Sequence, residues 1–295
     1  MNAVNAPDTR GLQLLTWSFV LIWASGFIVA GLARPHADPL TFLSVRYVFG
    51  IAAFVLLARW VKAPWPRDWR SWRDALVAGV LLHGCYLGGV FWSIWNGMPA
   101  GLTALVTGLH PVLTAVLAIP ILHERIGPRQ WLGIAIGFVG VALVVWPAVS
   151  RVDAVPLPAL GAAIFATVAF TLANIWQKRS KPAMDLRVNA AIQFIGALAV
   201  TAPIVFLFES RRFDNTPALW GAMAWAVLVI SVGAISLLLY LLKRGAASRV
   251  APLLYLAPPA AAIIAVPLFG ETFLPVQVAG TILTVAGALA ARSGR

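Results

Sequence analysis

The chain has 295 residues, 61% of them hydrophobic and only 11% charged, with a formal net charge of +12 and a mean hydropathy of +0.87. A soluble domain is nearer half apolar and a quarter charged, so this composition excludes a water-covered surface and makes lipid the solvent for much of the chain. The single Cys85 excludes a disulfide framework within the chain and a multi-cysteine metal site.

A membrane span takes about 20 apolar residues, and ten such runs follow one another: 12–33, 39–60, 74–95, 99–121, 128–147, 157–177, 187–208, 217–242, 247–268 and 275–291. The opening "NAPDTRGLQ" leads straight into the first run, without the pattern of a cleavable signal. Short links, such as Asn96 to Met98 and the stretch near Gly270, make neighbouring spans antiparallel hairpins. The runs are too long, and too free of period-two alternation, for a β-barrel. The 13 Trp and 20 Pro agree with membrane helices and their interfaces.

Charge sets the orientation. Seventeen of the 22 Lys and Arg residues fall in the segments on the N-terminal side of the membrane, and only Arg34, Arg151, Arg211 and Arg212 fall opposite. Positive loops stay inside, which places both termini in the cytoplasm and requires an even number of spans. The positive charge therefore reads as topology, with the lipid bilayer as partner and no nucleic acid. Arg46 alone lies within a span.

The chain also repeats itself. "HERIGPRQWLG" at 123–133 and "GETFLPVQVAG" at 270–280 share one offset, which continues outside both windows. Glu124 matches Glu271, Pro128 matches Pro275, Gln130 matches Gln277 and Gly133 matches Gly280. Pro111, Pro120 and Gly140 match Pro258, Pro267 and Gly287. Two five-span halves follow, 12–147 and 157–291. Five is odd, so the halves run in opposite directions. An inverted repeat of this kind points to a transporter built around a pseudo-two-fold axis in the membrane plane. Such a chain contains its own two-fold partner and is expected to work as a monomer. Within the motif, Pro128 and Pro275 suit a first helical turn. Glu124 and Glu271 suit a helix start, where a carboxylate accepts free N–H groups. Gly133, Gly140, Gly280 and Gly287 make small faces for close helix packing.

These paired motifs resemble the EamA-type repeat of the drug/metabolite transporter superfamily, and the resemblance covers nearly the whole chain. Within that superfamily the overall pattern is most like the bacterial aromatic amino-acid exporters. The resemblance implies an all-α membrane protein of the bacterial inner membrane, with ten transmembrane helices in two inverted five-helix repeats around a central cavity. It implies a cavity lined mainly by the first, third, fourth, sixth, eighth and ninth helices, with the fifth and tenth peripheral. The function implied is export of aromatic and other hydrophobic amino acids, with another small amphipathic metabolite or drug as the alternative.

On those helices the candidate cavity residues are Trp17, Trp23 and Phe27; His83, Tyr86 and Trp92; Thr107 and His110; Asn174 and Trp176; Tyr240; and Tyr255. Aromatic walls with a few hydrogen-bonding groups suit a flat amphipathic solute. Aromatics near span ends, including Trp17, Trp60, Trp95, Trp131 and Trp146, also read as interfacial anchors. Arg46 has two readings, a structural tie and a draw for a substrate carboxylate; unpaired burial would cost at least about 2.5 kcal/mol at the membrane centre. Pseudo-symmetry sets Gln193 opposite it. Pro111 and Pro258 are candidate gating hinges. His83 and His110 are the residues within spans that titrate near neutrality. No Asp or Glu lies mid-span, and proton-driven carriers commonly use buried acids. Facilitated export is therefore expected ahead of proton coupling. No cofactor or metal is expected, and no HExxH, Walker A or Cys–His ligand spacing is present. "ASGF" lacks the frame of a nucleophilic serine, and no charged ring marks a channel. An enzyme and a channel are distant alternatives.

Overall fold

Lipid offers the backbone no hydrogen-bond partners, so an apolar chain satisfies its N–H and C=O groups within helices. The computed structural model describes residues 9–110, 112–114, 117, 127–150, 155–180, 184–243 and 256–292, and ten helices carry nearly all of them. They are α1 Thr9–Ala33, α2 Pro39–Trp60, α3 Trp69–Trp95, α4 Ala100–Thr107, α5 Pro128–Ser150, α6 Leu157–Ser180, α7 Leu186–Phe208, α8, α9 Ala257–Phe269 and α10 Pro275–Arg292. Helix α8 runs through Pro217–Ala224, a π-helical stretch Trp225–Gly233, and Ala234–Lys243. Among the described residues, α1, α2, α3, α6, α7 and α8 are long and apolar enough to cross a membrane, and α4, α5, α9 and α10 are shorter apolar helices. The all-helical, ten-helix membrane architecture expected from the sequence is the one observed. Pro111, Pro120, Glu124 and Tyr255 lie outside the described residues.

Helix starts are written in the sequence. Pro128 and Pro275 open α5 and α10 as expected, and Pro39 and Pro217 open α2 and α8, all at a position whose N–H has no intrahelical partner. Asp68 accepts from Ser71 N at 2.8 Å, and Thr216 accepts from Leu219 N at 3.2 Å. Two starts are instead capped across the molecule. Glu209, just past α7, accepts from Leu40 N at 2.9 Å and from Thr41 N at 2.7 Å, closing the start of α2.

Glu271 does the same for α4, accepting from Gly101 N at 3.0 Å. Its own helix start is served by Gln277, whose Oε1 accepts from Leu274 N at 3.0 Å. The expected cap therefore exists but acts on α4 rather than α10. Left-handed Gly270, at φ 65°, turns the chain out of α9 just before this carboxylate. Burial pushes the Glu271 carboxyl up from its ordinary range, and the α4 N–H groups oppose that shift. Glu271→Ala is expected to lower stability by about 1–2 kcal/mol, the scale of a lost helix cap, with Glu271→Gln recovering part of it. Thermal unfolding in detergent checks this; unchanged melting of the alanine variant would remove the capping role.

The two halves meet through equivalent helices packed antiparallel. A Cβ at Gly140 would lie 2.5 Å from Gly280 O, and one at Gly287 would lie 2.5 Å from Gly137 N, so the backbones of α5 and α10 touch as they run opposite ways. Helices α2 and α7 behave likewise. Thr41 meets Glu209, Ser44 meets Thr201, and Tyr47 meets Phe194. In α4 and α9, Gly101 faces Ala262 and Gly108 faces Pro258. An axis relating the halves must reverse helix direction, and these three pairs make the repeat inverted. The repeated glycines are explained by this seam: only hydrogen at Cα lets the backbones approach so closely.

Large apolar side chains cover the outside, as lipid requires. Phe206, Leu207 and Phe208 at the end of α7 are exposed, as are Ile263 and Ile282. Trp17, Trp60, Trp131 and Trp146 are exposed as well, consistent with interfacial anchoring. Trp95 is different: it stacks on Phe91 and its indole N–H donates to Ala37 O, so it packs inside.

Candidate functional site

A cavity of about 320 Å³ lies between α1, α2, α3, α6, α7 and α8, at the small end of ligand pockets, which run from about 300 to 1,000 Å³. Each helix gives one stripe at helical spacing: Phe19, Trp23, Gly26 and Phe27 from α1; His83, Tyr86, Leu87, Val90 and Phe91 from α3; Phe170, Asn174 and Gln177 from α6. Helix α7 gives Leu186, Asn189, Ala190, Gln193 and Phe194, and α8 gives Ile230, Ser231, Ala234, Ile235 and Leu238. These intervals of three, four and seven keep residues on one helical face. The walls are mostly apolar, aromatic and aliphatic together, and the polar groups come from Arg46, His83, Asn174, Gln177, Asn189, Gln193 and Ser231. No Asp or Glu lines the cavity among the described residues.

Two π-helical stretches flank it, Val80–Leu87 in α3 and Trp225–Gly233 in α8. The repeat offset carries one onto the other to within two residues, so they are equivalent features of the two halves. A π stretch loosens the ordinary ladder and is frequent at functional sites. Adjacent residues of α2 bond to both. Tyr47 Oη donates to His83 O at 2.7 Å in the first. Arg46 Nη2 donates to Ser231 Oγ at 3.2 Å in the second, and Ser231 donates onward to Ala226 O at 2.9 Å. In the other half, the equivalents of Arg46 and Tyr47 are Gln193 and Phe194. Phe194 meets the His83 ring edge-on at 4.7 Å.

The cavity extends toward the α6–α7 turn, where Gln177 and Leu186 stand. The opposite helix ends are tied together. Asp38 accepts from Ser210 Oγ at 2.6 Å and Arg212 N at 2.9 Å. The Arg212 guanidinium lies 2.6 Å from Asp214 and holds that carboxyl below its ordinary range. An isolated bridge joins Ala37 to Phe213, and the Glu209 and Glu271 caps complete the closure.

Of the residues expected to face the cavity, Trp23, Phe27, His83, Tyr86 and Asn174 line it. Trp17, Trp92 and Tyr240 are off the lining faces and exposed. Trp176 is out of phase with Asn174 and ties α6 to α3 by donating to Asp74 O at 3.0 Å. Thr107 is buried and bonds Thr103 O within its own helix. His110 packs edge-on against Phe170 from behind the wall. Among the described residues, α4 and α9 give none to this lining, their small residues packing against each other, while α7 and Arg46 of α2 do contribute. Pro258 sits in the first turn of the described part of α9, packed on Gly108. Phe19, Gly26, Asn189, Gln193 and Ser231 were missed as a set. Their signal was the helical phase: Phe19 stands four residues before Trp23, and Asn189 shares a face with Gln193, the counterpart of Arg46, on a helix not counted among the main lining ones.

The fold and its cavity can now be placed among known proteins. The family model of the EamA-like transporter family matches residues 12–146 and 157–292. This chain belongs to that family. It is 25% identical over 284 residues to a probable amino-acid metabolite efflux pump of Salmonella typhimurium (strain LT2), covering 91% of this chain and 90% of that protein. It is 23% identical over 266 residues to the uncharacterized inner membrane transporter YedA of Escherichia coli (strain K12), covering 88% and 84%. A crystal structure of a chain 19% identical in sequence superposes with a TM-score of 0.64 over 96% of this chain and 97% of that one, a likeness of fold. The protein is a multi-pass membrane protein of the EamA-like transporter family.

Proposed function

We propose that the protein exports aromatic and other hydrophobic amino acids by alternating access between its two inverted halves. The observation that carries the reading is the cavity, with Phe19, Trp23, Phe27, Tyr86, Phe91 and Phe170 around a limited set of polar groups. Such a site fits one flat, amphipathic solute with a polar end. The relative named a probable amino-acid metabolite efflux pump supports the solute class and the outward direction. The lining reaches Gln177 and Leu186, beside Lys178, Arg179 and Arg187, which supports a cytoplasmic location for that end of the cavity by the positive-inside rule. With that side facing the cytoplasm, both termini lie in the cytoplasm of a bacterial inner membrane. Transport is facilitative, since no carboxylate faces the cavity among the described residues to carry a proton.

The test is uptake of labelled tryptophan, phenylalanine and alanine into proteoliposomes, with and without a pH gradient. Tryptophan and phenylalanine are expected to move without the gradient and to compete with each other. Flux only when a gradient is imposed would overturn the facilitative reading. No flux of any of the three, in folded protein, would overturn the amino-acid reading.

A further inference from the structure

Three polar atoms in the cavity wall have no hydrogen-bond partner among the described residues: Arg46 Nε, His83 Nδ1 and Asn189 Oδ1. All three belong to residues that face the same cavity. Arg46 is 4% exposed and Asn189 is 7% exposed. An unpaired buried polar group is destabilising, and native proteins keep few of them. Three in residues of one wall leave hydrogen-bonding capacity that the described residues do not fill.

Arg46 supplies the cation. Among the described residues it forms no ion pair; its hydrogen bond is the one from Nη2 to Ser231. Nε–H and one N–H of Nη2 lie on the same side of the planar guanidinium, so together they make the fork that a carboxylate fills with two parallel bonds. Ser231 holds that fork in place through Nη2. A charged side chain at membrane depth needs a counter-charge, and the cavity has no carboxylate of its own among the described residues. Asn189 supplies the opposite character: its Oδ1 is purely an acceptor, matched to an ammonium. It stands one helical turn from Gln193 on the face of α7 that lines the cavity.

We infer that Arg46 anchors the carboxylate of the transported solute and that Asn189 Oδ1 receives its ammonium, so that the cavity selects a zwitterion rather than any amphipathic molecule. The inference rests on the amino-acid reading above and adds the residues that recognise the backbone of the amino acid. The side chain of the solute is then left to the aromatic wall.

Isothermal titration of the full-length protein in detergent with three probes tests it: phenylalanine, 3-phenylpropionate, which keeps the carboxylate alone, and phenylethylamine, which keeps the ammonium alone. The protein is expected to bind phenylalanine more tightly than either analogue. Arg46→Gln should weaken phenylalanine and 3-phenylpropionate by roughly tenfold or more, the scale of one charge-assisted hydrogen bond, and leave phenylethylamine unchanged. Asn189→Leu should weaken phenylalanine and phenylethylamine and spare 3-phenylpropionate. If Arg46→Gln fails to fold, Arg46→Lys keeps the charge without the fork and should show a smaller loss confined to the two carboxylates. Equal weakening of all three probes at Arg46 would make it a structural tie and overturn the anchor, leaving the amino-acid reading intact. Binding of 3-phenylpropionate as tight as phenylalanine, and dependent on Arg46, would keep the anchor and overturn that reading. No binding of any probe would overturn both.

Discussion

Gly280→Leu is expected to destabilise the protein by about 3 kcal/mol or more, the upper end of the cost of overpacking. A Cβ at Gly280 would lie 2.7 Å from Gly140 O, 2.9 Å from Leu143 Cβ and 3.0 Å from Val144. The first of these atoms is backbone, so a rotamer change cannot relieve the contact. Helices α5 and α10 would have to separate along the seam that joins the two halves, and each would lose packing that lipid tails cannot replace with the same density. Gly140→Leu should behave alike, because a Cβ there meets Gly280 O at 2.5 Å and Thr284 Oγ1 at 2.5 Å. The control is Gly161→Ala on α6, where a Cβ meets nothing within 4 Å; it is expected to match the parent or gain up to about 1 kcal/mol. Thermal unfolding in detergent, together with the yield of monodisperse protein, reads the difference. A Gly280→Leu variant that melts with the parent would refute the seam as described.

The second large effect separates function from fold. Gly26 lines the cavity, and a Cβ at that position meets nothing within 4 Å. Gly26→Leu therefore starts an apolar side chain into a space of about 320 Å³ from a Cβ that touches no protein atom. Replacing glycine inside a helix also removes a penalty of up to about 1 kcal/mol, so stability should hold or rise slightly. Phenylalanine flux into proteoliposomes is expected to fall at least about tenfold, an energetic cost of about 1.4 kcal/mol at the transport barrier. Melting close to the parent together with lost flux would locate the solute path in this cavity. Undiminished flux in a folded Gly26→Leu protein would place the path elsewhere. The two glycines thus separate the roles that small residues play here, one holding backbones together and the other keeping a space open.

The Arg46 and Tyr47 bonds give the cavity a further property. Neighbouring residues of one helix hold the π stretches of both halves, through Ser231 and His83 O.

Much of this protein was determined by its sequence. Low charge and long apolar runs require helices in lipid, because no other open structure satisfies the backbone there. The repeat from Pro111 to Gly140 matched against Pro258 to Gly287, with five spans in each half, already required inversion. The positions of Pro128 and Pro275 at helix starts followed from their missing N–H. Helical phase, read residue by residue, would also have separated Trp23 from Trp17 and Asn174 from Trp176. What the sequence could not carry is which helices face one another, since that depends on contacts between residues far apart along the chain. Tertiary structure alone decided that Glu271 caps α4 instead of α10, that α7 joins this cavity wall, and that Pro258 packs on Gly108. It also brought Arg46 Nη2 to Ser231 of the other half, 3.2 Å away in the cavity wall, a pairing across the whole length of the chain between them that no local spacing encodes.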